Sequence, residues 1–230
     1  METSTNTKNR LIHSHYWGNQ QGESAQASRP QIRPPKLPYT YSAMHALWES
    51  EHLKNHFLNF HMKGFEEFLD CINNTKAEKM GMLQLFEHQN EFNEKLIESA
   101  CIVFNHQLYW DNLSPYGGEL SNQLEQAINY SFGSVYKMKQ LFIEIGKAYK
   151  FSGWLWLIID ENQELQIIPT RQNKNTLLKG APIQGIPILA IDLWEHAYFQ
   201  KFNDLKEEYL KTVWMMINWN EVSTRYSSAF

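Results

Sequence analysis

The sequence predicts an α+β fold: an N-terminal antiparallel helical hairpin, then an α/β domain with a small antiparallel sheet of about three strands. Three observations predict it. Apolar residues recur at helical spacing through the first half, a proline and glycine break falls at "LSPYGGEL", and three short segments rich in β-branched and aromatic residues lie beyond that break.

Residues 1–36 stand apart. They are rich in Asn, Gln, Ser and Thr and run into "RPQIRPPKLPY", where Pro30, Pro34, Pro35 and Pro38 cluster. So few apolar groups cannot offset the entropy of ordering, so this stretch is expected to be a disordered or extended tail. Its five basic residues (Lys8, Arg10, Arg29, Arg33, Lys36) and two acids (Glu2, Glu23) sum to +3, and a protein partner for it is one expectation. Subtracting +3 from the net charge of -4 leaves -7 for residues 37–230, which argues against nucleic acid as a partner of the core.

From Tyr39 to about Trp110 the pattern is helical. "SEHLKNHFLNFHMKGFEEFLDCI" sets Leu53, Phe57, Phe60 and Phe68 on one face, and a second helix is expected through "LQLFEHQNEFNEKLIESACIVFNHQLYW". The polar "NNTKAEK" joins the two into a hairpin, so residues 37–115 form the first domain. Pro115 and the Gly117-Gly118 pair then mark a boundary, with residues 116–230 as the second. There "SNQLEQAINYSFGSVYKMKQLFIEIGKAYK" predicts two helices separated at Gly133. "GWLWLIIDENQELQIIPT" is a strand, a polar turn and a strand, "IPILAID" is a third strand, and "FNDLKEEYLKTVWMMINW" returns to helix.

A content of 43% hydrophobic and 20% charged residues supports a globular core, and no apolar run approaches the roughly 18 residues of a membrane span. Two cysteines, Cys71 and Cys101, suit a reducing compartment better than a disulfide framework. With no apolar signal core near the N-terminus, the expected compartment is the cytoplasm or the mitochondrion.

Histidines are the candidate metal ligands. His13 and His15 lie in the tail and His45 and His88 lack obvious partners, which leaves His52, His56, His61, His106 and His196. In "IDLWEHAYF" the spacing Asp192-x-x-x-His196 reads two ways. It fits an ordinary helix start, with Asp192 as N-cap and Glu195 at the capping-box position, or half of a metal site completed from elsewhere.

Six ordered pieces, "LPYTYSAM", "NHQLYWDNLSP", "FGS", "FSGWLWLI", "IDLWEHAYF" and "INWNEVSTRY", together resemble the iron/manganese superoxide dismutase family over about residues 37 to 226. The resemblance implies four metal ligands: His56 on the first helix, His106 of "NHQLYW", and Asp192 and His196 of "DLWEHAY". It implies one iron or manganese ion per subunit, iron being slightly favoured by Tyr109, and superoxide as the substrate. Such a metal cycles between two oxidation states, converting superoxide to dioxygen and hydrogen peroxide. Trp110, Trp154 and Trp194 match positions that wall the pocket. An active-site amide is expected at Asn173, with Gln172 beside it. Glu195 matches an acid that reaches the partner's ligand histidine across a two-fold axis, so a homodimer or larger homo-oligomer follows. Lys206 is a basic residue at the funnel mouth, where Asn59 takes the other basic position.

The chain departs from the family around the ligands. Phe60 stands where a second histidine is usual, Gly64 where a gateway tyrosine is usual, Val103 at one possible glutamine position, and Phe199 where a tyrosine is usual. The histidine and the second tyrosine pair across the family's dimer interface, so Phe60 and Phe199 look like a matched apolar replacement. A non-catalytic relative serving as a subunit of a larger assembly, such as a mitochondrial ribosome, is the alternative.

Overall fold

The computed structural model describes residues 34–230, so most of the expected tail, with His13 and His15, lies outside the described residues. A 3-10 turn at Tyr41–Met44 precedes the first helix, α1, which covers Ser50–His56 and therefore starts well after Tyr39. A π-helical turn, Phe57–Met62, carries it into α2, Lys63–Ile72.

That wider turn revises the expected apolar face. Lys63 donates its backbone N–H to the Leu58 carbonyl, five residues back, and the buried stripe runs Leu53, Phe57, His61, Phe65 and Phe68. Phe60, expected on that face, is moved to the flank and is 39% exposed. Gly64 is buried where α2 crosses the helix carrying His106: a Cβ there would lie 2.4 Å from Ile102 Cγ2. The position that holds a tyrosine in the resemblance thus has no room here even for a methyl group.

The expected second helix is two. α3 spans Met82–Glu87, and α4, Glu94–Asp111, begins where the Asn93 side chain accepts from the Leu96 N–H. Asn93 competes for the backbone and caps a new helix, which breaks the long pattern. α2 and α3 both pack on α4.

Two helices follow as expected, α5 at Asn122–Phe132 and α6 at Val135–Ala148. Gly133 ends the first at φ 82°, a left-handed conformation that a residue with a side chain adopts at a cost. The sheet is three-stranded and antiparallel in the order β2-β1-β3, with β1 at Gly153–Ile159, β2 at Leu165–Arg171 and β3 at Ile186–Asp192. β1 and β3 are buried throughout, which explains their unbroken apolar runs, whereas β2 is mixed.

The C-terminal helical run is likewise divided. After α7, Glu195–Phe202, come α8, Lys206–Met215, and α9, Trp219–Ser227, parted where Ile217 bridges to Leu113. α4 packs on β3, and this contact joins the helical half to the sheet half beneath the site. No helix among the described residues is long and apolar enough to cross a membrane.

Candidate metal centre

Four elements converge where β3 ends. Asp192 is the last residue of β3, paired with Trp154 of β1, and His196 lies in the first turn of α7. His56 closes α1 and His106 lies in the last half of α4. Asp192 does not cap the following helix as N-cap residue: Trp194 holds that place, and Asp192 Oδ1 accepts from the Trp194 N–H at 2.8 Å. This bond fixes the carboxylate and leaves Oδ2 to face the histidines.

His56 Nε2 and His196 Nε2 each lie 3.3 Å from Asp192 Oδ2, and His106 Nε2 lies 3.9 Å from it. One ligand atom from each of the four residues falls within 4.8 Å of all the others. These three nitrogens and Oδ2 are buried, and none has a hydrogen-bond partner. Buried polar atoms left unmet cost about 1–3 kcal/mol each, so four at one point need an occupant. Donor atoms about 2.1 Å from one ion stand about 3 to 4 Å apart, which is the spacing around Asp192.

The protonation states also fit a cation. Burial pushes His56 down to about 3 and His106 down to about 4, so both rings are neutral at pH 7 with a lone pair to give. Burial alone would raise the Asp192 carboxyl. The imidazoles of His196 and His56 outweigh that and hold it below the usual carboxylate range. His106 donates from Nδ1 to the Ile102 carbonyl at 2.9 Å, which places its proton on Nδ1 and leaves Nε2 bare. Three imidazoles and one carboxylate are the mixed donor set that iron and manganese accept.

The three expected tryptophans line this cluster. Ring centroids lie 4.7 Å apart for Trp110 and His56, 5.0 Å for Trp154 and His106, and 5.7 Å for Trp194 and His196. Other neighbours were not visible in the sequence. Trp48 packs on His56 and Trp110 and donates to the Ala197 carbonyl at 2.6 Å. His52 donates to the His196 carbonyl at 2.8 Å. Tyr209 donates its hydroxyl to the Asp192 carbonyl at 2.9 Å, so its oxygen must accept from Tyr109 at 2.7 Å. His61, one of the five histidines kept as candidate ligands, lies outside the four-residue cluster and accepts at Nδ1 from Trp110 Nε1 at 2.8 Å.

The expected amide lies elsewhere. Gln172 is exposed with φ 56°, and the Asn173 side chain donates to Glu98 at 3.3 Å. The buried amide of this turn is Asn175, which bonds Asn105, the neighbour of His106. Glu195 is exposed beside His196, at the first position of α7.

Comparison with known proteins decides the family. A profile described as "Iron/manganese superoxide dismutases, C-terminal domain" matches residues 120–225. "Superoxide dismutase [Mn]" of Listeria ivanovii is 32% identical over 201 residues, covering 85% of this chain and 97% of that protein. The chain belongs to the iron/manganese superoxide dismutase family. "Superoxide dismutase [Mn]" of Acinetobacter baylyi is 30% identical over 86% of the chain and 89% of that protein. "Superoxide dismutase [Fe]" of Plasmodium falciparum is 32% identical over 82% and 93%. Relatives bearing either metal name thus match about equally well, in keeping with a donor set that suits both.

Proposed function

We propose that this chain is an active superoxide dismutase. The observation that carries the proposal is the convergence of four buried, unpartnered ligand atoms from His56, His106, Asp192 and His196 within 4.8 Å. Bound iron or manganese would supply one-electron cycling, by which two superoxide anions and two protons become dioxygen and hydrogen peroxide. The relatives give the non-catalytic subunit alternative no support.

The chain's own residues would prepare and protect the centre. Asp192, His56 and His106 present their donor atoms already in the protonation state that a cation needs. Trp110, Trp154 and Trp194 keep bulk water from the ligands, which strengthens the electrostatics inside. Lys206 bonds the Tyr149 carbonyl at 2.8 Å, and burial pushes its amine down to about 8; as a cation it favours an incoming anion.

The same reading includes a homodimer. Phe60, stacked on His196, is 39% exposed, and Phe199, on α7 with exposed Glu195 and His196, is 47% exposed. A second copy laid on this face would cover it and bring Glu195 toward the partner's site.

The test is superoxide removal by the metal-loaded protein beside its His106→Ala variant, with iron and manganese counted in both. Turnover that needs His106 supports the enzyme, with iron the expected metal. Full metal content with turnover no better than the variant's rejects it.

A further inference from the structure

Two donors of the N-terminal half meet the backbone of a candidate ligand in the C-terminal half. His52 Nε2 lies 2.8 Å from the His196 carbonyl oxygen, and Trp48 Nε1 lies 2.6 Å from that of Ala197. A carbonyl only accepts, so both bonds run from the helical half to α7. Together they hold two successive carbonyls, that of His196 and that of the next residue.

Both donors are also placed against the other side of the centre. His52, outside the four-residue cluster, precedes His56 by one turn of α1, so the two side chains share a face of the helix. Trp48 is fully buried and meets His56 edge-on with ring centroids 6.3 Å apart. The His56 and His196 rings are themselves 4.7 Å apart. One short stretch, residues 48–56, thus supplies one candidate ligand and grips the backbone of another. In the reverse direction Lys201 of α7 bonds the His45 carbonyl and pairs with Glu49 at 3.7 Å, but Glu49 is exposed and such a pair adds little.

Packing alone does not account for His52. It is buried, and its Nδ1 has no hydrogen-bond partner among the described residues. An unmet buried polar atom is destabilising, and an aliphatic side chain of similar size would fill the place without one. What the imidazole adds is the bond to the His196 carbonyl. His196 is also the ligand least enclosed by its surroundings: its side chain is 19% exposed, whereas those of His56 and Asp192 are fully buried. Its place therefore depends on where α7 begins.

We propose that His52 and Trp48 are positioning residues of the metal centre. Their N–H groups fix the start of α7 against α1 and so set where His196 stands relative to His56 and Asp192. Neither residue touches the ion or the substrate. This rests on the metal-centre reading and adds to it the tie that brings the two halves of the ligand set into register.

The experiment uses the full chain loaded with ferric iron or manganese(II), whichever it retains. Electron paramagnetic resonance reads the symmetry of the ligand field, and competition with a chelator reads metal affinity. His52→Leu removes one donor at similar volume, and Trp48→Phe removes the other while keeping a ring. Each should shift the spectrum and weaken metal binding about two- to tenfold, the scale of one net hydrogen bond. His52→Gln, which restores an N–H, should return both readouts toward the unmodified values. Either donor-free variant suffices should the other fold poorly. Spectra and affinities that match the unmodified protein overturn the proposal alone, even where the metal-free variant unfolds more easily, because a merely structural role moves only stability. Failure of His52→Gln to recover any of the change also overturns it, since the effect then lies in the ring's shape and not its N–H. A chain that takes up neither metal overturns the metal-centre reading and this inference together.

Discussion

Phe60 stacks face to face on His196, with ring centroids 3.7 Å apart and planes 15° apart. A hydrocarbon ring therefore covers the imidazole of a candidate metal ligand, and Phe60 has no polar group to bond across its exposed surface. The contact orients His196 by packing alone.

Replacing Phe60 tests both roles of this ring. Phe60→Ala removes the stack, and for a side chain already 39% exposed the expected destabilisation is about 1–2 kcal/mol, below that of a fully buried phenylalanine. Thermal denaturation measures that term. Sizing chromatography measures the other: the variant should elute nearer the monomer than the unmodified protein does. A monomeric unmodified protein would remove the dimer from the account.

The hydroxyl chain beneath Asp192 makes a sharper prediction. Tyr209→Phe deletes the donor to the Asp192 carbonyl and leaves the buried Tyr109 hydroxyl without its acceptor. The expected loss is about 1–3 kcal/mol of stability together with weaker metal retention. In Tyr109→Phe/Tyr209→Phe no orphaned hydroxyl remains on Tyr109, so the double variant should be less destabilised than the sum of the singles. A strictly additive cycle in denaturant unfolding would show that the two hydroxyls do not act together.

Acid should weaken the metal-free protein in a defined window. His56 and His106 titrate lower folded than their ordinary 6.5, at about 3 and about 4. Between those values the unfolded chain binds more protons, so stability rises with pH there. It is fully present above about pH 6.5, is lost as pH falls toward 4 and then 3, and Asp192, also depressed, adds loss in the same direction below its ordinary 3.8. Unfolding curves of the metal-free protein from pH 7 to pH 3 check this; a stability independent of pH across that range contradicts it.

The parts of this site written as fixed strings were legible in the sequence. His106 and the Asp192–His196 pair lie inside quoted segments, and the strands carrying Trp154 and Asp192 announce themselves as apolar runs. Positions set by backbone irregularity were not. Whether residue 60 or 61 faces inward depends on one π-helical turn, which apolar spacing alone does not reveal. The turn after β2 shows the same limit: the left-handed residue Gln172 redirects the chain, and Asn175 is buried in place of Asn173. Long helical patterns also concealed breaks at Asn93 and Ile217, where a cap and a strand-like bridge prevail over periodicity. Tyr209, distant in sequence from every ligand, becomes relevant only because α8 packs beside α7.

Metal content tests the central claim most directly. Elemental analysis of the protein purified at neutral pH should find about one iron or manganese ion per chain, and Asp192→Asn, which keeps the shape but removes the charge at the meeting point of the three histidines, should lose most of it. Equal metal content in the two proteins, or none in the unmodified one, would contradict a centre built on His56, His106, Asp192 and His196.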